Sequence, residues 1–309
     1  MRIVYMGSPD FAVPSLEALL AAGYQVVGVV TQPDRKKGRG NKLAATPVKE
    51  MALKYNIPII QPQDVNEAAS VQTVSAWNPD IIIVVAFGQL LKKDLLNLAP
   101  FGAINVHASL LPSYRGAAPI HWAVIKGEKV TGVTTMYMNE GMDTGDMILK
   151  AQCTIEDDDN AGILHDRLAA LGAILLLRTL DDIKSGQVKR FVQDQALASY
   201  APMLQKEDEV IDWHKKALDV HNQIRGLSPC PGAYTFYHNK RLKIYKSAYI
   251  PWIKGLPGRV LAIDKNNGLI VAATEGAVAL LEVQPEGKAK MSFSDFSRGY
   301  AIRTGDILG

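Results

Sequence analysis

Asn105 and His107 stand two residues apart in the segment Ala103-Ile-Asn-Val-His107, and Ser109-Leu-Leu-Pro112-Ser-Tyr-Arg-Gly116 follows almost at once. Residues i and i+2 of a strand share a face. The amide and the imidazole therefore project together, while Ile104 and Val106 turn toward a core. An amide N–H beside an imidazole suits the oxyanion of a tetrahedral centre, and the imidazole also moves protons. Downstream, Asp143 sits in Gly141-Met-Asp-Thr-Gly145, where flanking glycines allow close backbone approach. That carboxylate either caps its own turn or, folded over His107, orients the ring and supports its charged form. A lone histidine is usually a structural hydrogen-bonder, and it is Asn105 on the same face and the Ser-Leu-Leu-Pro turn beside it that shift the reading of His107 toward a site.

Other residues leave their roles open. Tyr114 and Arg115 either meet an anionic ligand tail or fasten the turn to the next helix. His121, after Pro119, is expected to pack or face solvent. The first turn, Gly7-Ser-Pro-Asp-Phe, lacks the Gly-x-Gly-x-x-Gly needed for pyrophosphate approach, which argues against a dinucleotide site. Asp34-Arg-Lys-Lys-Gly-Arg-Gly-Asn-Lys42 carries Arg35, Lys36, Lys37, Arg39 and Lys42 with two glycines, and predicts a mobile cationic loop. Such a loop is either simply solvated or built to meet nucleic-acid phosphates.

The elements that must position these groups alternate β and α. Arg2–Met6, Gln25–Thr31, Ile57–Ile60, Asp80–Ala86 and Ala103–His107 read as strands. Ala12–Ala22, Thr46–Tyr55, Asn66–Trp77 and Leu91–Asn97 read as helices. The alternation predicts an α/β fold with a doubly wound, mostly parallel sheet, in which sites form at strand carboxyl ends. Val130–Met138 and Asp146–Thr154 are expected as an antiparallel addition, and Ala161–Ser185 as a long helix. Val192–Glu209 is irregular and Asp212–Arg225 reads as a helix. Short strands at Ala233–Tyr237, Leu242–Tyr249, Gly258–Ile263, Leu269–Ala273 and Ala277–Val283 then suit a small β-barrel, the OB type among the options. The expected division is 1–190, a linker at 191–206, and 207–309.

Hydrophobic residues at 48% and charged residues at 21% of 309 describe a soluble globular chain. No apolar run is long enough for a membrane span. The first residues read as a strand and not as a secretory leader, so a cytoplasmic protein is expected. Cys153 and Cys230 are far apart and offer neither a disulfide framework nor metal-ligand spacing. No metal is expected, and a monomer is. Residues 206–309 carry 15 Lys/Arg against 11 Asp/Glu, whereas 1–205 carry 19 against 20. The positive excess lies in the C-terminal part, through Lys206, Lys215, Lys216, Arg225, Lys240, Arg241, Lys243 and Lys246. Tyr234, Phe236, Tyr237 and Tyr245 are interleaved there, as core or as a base-stacking surface.

His107-Ala-Ser-Leu-Leu-Pro-Ser-Tyr-Arg-Gly116 resembles the signature of the 10-formyltetrahydrofolate-dependent formyltransferases, His-x-Ser-Leu-Leu-Pro-x-x-x-Gly. Asn105 and Asp143 fall where that family has its other two catalytic residues. Met6–Ala12, the basic loop followed by Thr46-Pro-Val-Lys49, Tyr114–Ile120 and Ile211-Asp-Trp213 are similar to the branch that acts on initiator methionyl-tRNA. The segment Pro229-Cys-Pro-Gly-Ala-Tyr234 departs from the tryptophan-containing segment usual there. The resemblance covers essentially the whole chain. It implies a Rossmann-like formyltransferase domain, a C-terminal OB-like domain that binds tRNA, and a role in translation initiation. It implies that Asn105, His107 and Asp143 are catalytic. The folate co-substrate would lie along Phe87, Gly88, Leu90, Ser109, Leu110, Leu111 and Pro112, and Arg35, Lys36, Lys37, Arg39 and Lys42 would meet the tRNA. The same signature serves formyl transfer to other amines and hydrolysis of formylfolate. A catalytically silent RNA-binding protein is the reading from a different class.

Overall fold

A computed structural model describes residues 1–37, 42–264 and 268–309. The chain forms two compact units. The first comprises 1–119, 130–154 and 165–202; the second comprises 120–129, 155–164 and 203–309.

In the first unit, seven strands form one sheet. They are β1 (Arg2–Gly7), β2 (Gln25–Val30), β5 (Ile59–Ile60), β6 (Ile81–Val85), β7 (Ala103–His107), β8 (Val130–Tyr137) and β9 (Met147–Thr154), ordered β5-β2-β1-β6-β7-β8-β9. Pairings from β5 to β7 are parallel, and β7-β8-β9 are antiparallel. The sheet order reverses between β1 and β6, so Ser8 and Phe87 flank the switch point where open α/β sheets bind ligands. β6 is Ile-Ile-Ile-Val-Val and is buried throughout, as expected of a strand covered on both faces. Helices α1 (Val13–Ala21), α2 (Pro47–Lys54), α3 (Ala68–Ala76) and α4 (Lys93–Leu96) connect the strands. Thr46 caps α2, its Oγ1 accepting from Lys49 N at 3.1 Å. The His165–Lys184 part of α6 (Ala161–Lys184) also belongs here, and its Thr179 hydroxyl meets that of Thr135 on β8 at 2.7 Å.

The basic loop differs from expectation at its base. β3 (Arg35–Lys37) and β4 (Lys42–Ala44) pair as an antiparallel ribbon, with Lys37 opposite Lys42. Asp34 anchors the ribbon, accepting from Gln61 Nε2 and Lys49 Nζ at 2.6 Å each. Those two bonds, Gln61 first, lower its carboxyl pKa.

The second unit holds α5 (Pro119–Ile125) from Ile120 on, α7 (Ala217–Gly226), α8 (Phe293–Gly299) and an antiparallel sheet. Its strands are β10 (Ala233–Tyr237), β11 (Lys240–Ile250), β12 (Val260–Asp264), β13 (Gly268–Ala272), β14 (Ala277–Pro285) and β15 (Met291–Ser292). The order is β10-β11-β14-β13-β12, with β15 beside β14. Trp213, Val220, Ile224, Ile244, Leu280 and Phe293 are part of one core. Helix α7 starts at Ala217 and not at Asp212. Trp213 instead enters that core and donates from Nε1 to Thr235 Oγ1 at 3.0 Å, while Asp212 closes a turn onto His214 N at 2.9 Å.

The expected linker is largely structural. Residues up to Pro202 belong to the first unit, because the segment is stitched to the turn after β7. Arg115 N donates to Ser199 O at 2.8 Å, Ala201 N to Arg115 O at 2.7 Å, and Tyr114 N to Ser199 Oγ at 2.9 Å.

Candidate active site

Strand β7 delivers Asn105 and His107 to one face. Val106, between them, is buried on the other. His107 is itself 6% exposed. Its Nε2 stands 3.0 Å from Tyr114 O and its Nδ1 3.5 Å from Asp143 Oδ2. Each ring nitrogen thus faces an oxygen. Asp143 Oδ2 accepts the Gly116 N–H at 2.8 Å, and its Oδ1 lies 3.5 Å from Asn105 Nδ2. Contacts of 3.5 Å are loose, as catalytic hydrogen bonds often are before substrate arrives. Asp143 and Tyr114 both hold positive φ, 53° and 59°. Left-handed backbone at a bulky tyrosine is strained, and such strain gathers at functional sites.

The turn that follows β7 is braced from within. Ser109 Oγ donates to Ser113 O at 2.6 Å, and Thr134 Oγ1 donates to Ser109 O at 2.7 Å. Lys150 Nζ donates to Leu111 O, and burial lowers the pKa of that amine. The Leu111 side chain packs with Met136 and Met147. Phe87 is likewise in the core, at 2% exposure. Phe87, Ser109 and Leu111 are thus buried, whereas Gly88 and Leu90 are exposed.

Arg115 fastens the turn. It is 1% exposed and donates from Nε and Nη2 to Gln193 Oε1, at 3.0 and 2.8 Å, and from Nη1 to Gln195 Oε1 at 2.8 Å. Gln193 in turn donates from Nε2 to Asp143 O and Gly145 O, at 2.8 Å each. Nothing in the sequence marks Gln193, Gln195 or Lys150, since a glutamine in an irregular stretch carries no spacing signal.

Arg35 and Lys36 are exposed on the basic ribbon. Lys37 and Lys42 form its last described pair, and Arg39 lies outside the described residues. In the second unit Arg225 does not join a basic surface. It is 7% exposed and donates to Asn222 Oδ1, Glu156 O and Asp159 O. His121 Nδ1 meets Gly226 O at 2.8 Å, a packing role. Tyr234 and Tyr237 are buried, and Phe236 is exposed. Among the described residues, no three His, Cys, Asp or Glu side chains gather to hold a metal, and no helix is long and apolar enough to cross a membrane.

The formyl transferase family matches residues 1–180, and the formyl transferase C-terminal domain matches 203–301. The methionyl-tRNA formyltransferase of Syntrophus aciditrophicus is 51% identical, over all of this chain and 99% of its own length. That of Ruminiclostridium cellulolyticum is 46% identical over the whole of both chains. The chain belongs to the methionyl-tRNA formyltransferase family. The same fold appears in WlaRD, a sugar 3N-formyl transferase crystallised with dTDP and 5-N-formyl-THF. The TM-score is 0.66, at 22% identity over 94% of this chain and 99% of that one. The C-terminal match falls on the second, antiparallel β unit.

Proposed function

We propose that the protein transfers the formyl group of 10-formyltetrahydrofolate to the α-amino group of methionine on initiator methionyl-tRNA. The observation that carries this reading is the convergence of Asn105, His107 and Asp143, with Asp143 oxygens 3.5 Å from both the amide and the ring, in a chain alike along its full length to methionyl-tRNA formyltransferases. The amine attacks the formyl carbon, a new C–N bond forms, and the bond to folate N10 breaks. Asn105 Nδ2 and the His107 ring stabilise the oxyanion of the tetrahedral intermediate. Asp143 orients the ring and accepts the proton that the amine loses, and N10 regains a proton as tetrahydrofolate leaves.

We take one cleft of the first unit as the way in for the folate; of the residues expected to meet it, Leu90 lines this cleft. The cleft, of about 470 Å³, is lined by residues including Gln63, Asn66, Gln89, Leu90, Lys92 and Glu140, and Glu140 opens the loop that carries Asp143. Its volume is in the usual range for a small-ligand site. At Gly88 only Gln32 Nε2 lies within 4 Å of the place a Cβ would take. The backbone there is open to an approaching ring. Phe87, Gly88 and Leu90 would bound the pterin on one side and the Ser109–Pro112 main chain on the other. The ribbon around Arg35–Lys42 would contact tRNA phosphates. A cytoplasmic monomer is part of this reading, and the chemistry requires no metal.

The test is incubation with 10-formyltetrahydrofolate and methionyl initiator tRNA. Formylmethionyl-tRNA appearing in step with tetrahydrofolate is expected. Folate turnover without tRNA product would move the acceptor to another amine or to water. Bound tRNA with no turnover would leave a binding protein.

A further inference from the structure

We propose that Gln193 is a positioning residue for catalysis, which rests on the formyl-transfer reading above. Asp143 and the Tyr114–Gly116 turn reach His107 from separate parts of the chain. Tyr114 supplies the carbonyl against Nε2, Gly116 the N–H against the carboxylate, and Asp143 the carboxylate against Nδ1. One side chain spans both pieces. Gln193 Nε2 donates to Asp143 O and Gly145 O, using both of its hydrogens, while Oε1 receives Nε and Nη2 of Arg115. At 3% exposure this amide has no water to fall back on, so its orientation is fixed by four well-formed bonds.

The consequence is geometric. Asp143 holds a left-handed φ of 53°, and its carboxylate meets the imidazole at the loose distance of 3.5 Å. The Gln193 bonds to residues 143 and 145 pin the backbone on both sides of that carboxylate. Without them, the Gly116 N–H at 2.8 Å is, among the described residues, the one short bond that still restrains the carboxylate. Misplacement of a reacting group by about 1 Å costs up to a hundredfold in rate. Gln193 bonds to Arg115 and to the main chain at Asp143 and Gly145, so it would act through Asp143 and Arg115.

Two substitutions separate positioning from mere support of a buried arginine. Gln193→Leu removes every bond. Gln193→Glu keeps the acceptor for Arg115 but has no N–H for the two carbonyls. Both are expected to lower kcat by about tenfold to a hundredfold, with KM for folate and for tRNA within about twofold. Gln193→Glu is expected to stay folded at assay temperature but to melt below the parent, because its carboxylate oxygen faces two carbonyl oxygens that have lost their donors. A normal kcat in folded Gln193→Glu, with loss confined to Gln193→Leu, would overturn the proposal and leave a structural glutamine. A fall in the folate-binding fraction, with kcat per site unchanged, would overturn it too. The parent assayed alongside tests the acceptor independently. Should the parent prove to use another amine, the Asp143 carboxylate position in a crystal of Gln193→Glu still decides: displacement from His107 supports positioning, and an unmoved carboxylate refutes it.

Discussion

Asp143 Oδ2 stands 3.5 Å from His107 Nδ1 while accepting the Gly116 N–H at 2.8 Å. The carboxylate is held by main chain more tightly than by the imidazole it faces. In the proposed mechanism it would hold a substrate proton without losing its seat. Asp143→Asn keeps the shape and removes the charge. Its kcat is expected to fall about a hundredfold or more, with folate binding intact. Asn105→Ala and His107→Ala are expected to fall comparably, since one oxyanion donor is typically worth about a hundredfold. Single-turnover formylation measures this. Near-parental turnover in His107→Ala would remove the mechanism.

Arg35 and Lys36 are exposed on a ribbon whose carboxylate, Asp34, is already committed to Lys49 and Gln61. Their charges are free of that carboxylate and suit phosphate contacts. Arg39→Ala is expected to raise KM for tRNA while sparing folate binding. The slope of log affinity against log salt should fall by about one for each phosphate that is no longer neutralised. Filter binding at several salt concentrations reads the slope. Equal weakening of folate and tRNA binding would indicate misfolding instead.

The placing of Asn105 and His107 is legible in the sequence because strand alternation is a local rule, and β7 obeys it at the residues expected. The parallel sheet and its antiparallel extension follow from apolar runs and turn residues. Asp143's approach to His107 stays open in the sequence, since a loop's landing point depends on contacts that spacing does not encode. Arg115 is undecided there for the same reason: its partners, Gln193 and Gln195, come from a stretch that reads as linker. Arg225 reads as surface charge and is instead buried among carbonyls. Helix α7 begins at Ala217, later than the sequence suggests, because Trp213 gains more from core burial and Thr235 than from a helical turn.

His221 is expected to make the second unit sensitive to acid. Burial, with Arg225 adding to it and Asp157 opposing, holds its pKa down to about 4, and its Nδ1 meets Ser247 Oγ at 2.9 Å. The unfolded chain titrates this group near 6.5. Between those values the unfolded state binds a proton that the folded state does not, so stability rises with pH there. The contribution is complete above about pH 6.5 and is lost as pH falls toward 4. Allowing for partial exposure, about 1–2 kcal/mol is expected to disappear across that window. Urea midpoints at pH 7.5 and pH 5 measure it, and His221→Gln should flatten the difference. An unchanged difference in that variant would assign the acid sensitivity to other groups.

Gly145 sets the height of the Asp143 loop over the sheet. A Cβ built there would lie 1.7 Å from Tyr137 O and 2.9 Å from Tyr137 C. Both are backbone atoms of β8, and the Tyr137 N–H is tied to Asp146 O at 2.9 Å, so neither can yield. The Gly145 carbonyl also accepts from Gln193. Gly145→Ala must therefore lift the loop. Overpacking of this kind costs about 1–3 kcal/mol, or several degrees in Tm for a domain of this size. The lift also carries Asp143 off His107, so kcat should fall more than stability alone explains. Gly186→Ala supplies the contrast: its φ is +70° with nothing within 4 Å of a Cβ, so it strains only the backbone, by about 1 kcal/mol. Melting curves and kcat measured on both variants separate the two effects. A Gly145→Ala protein that melts lower but turns over normally would show that the loop can rise without moving the carboxylate.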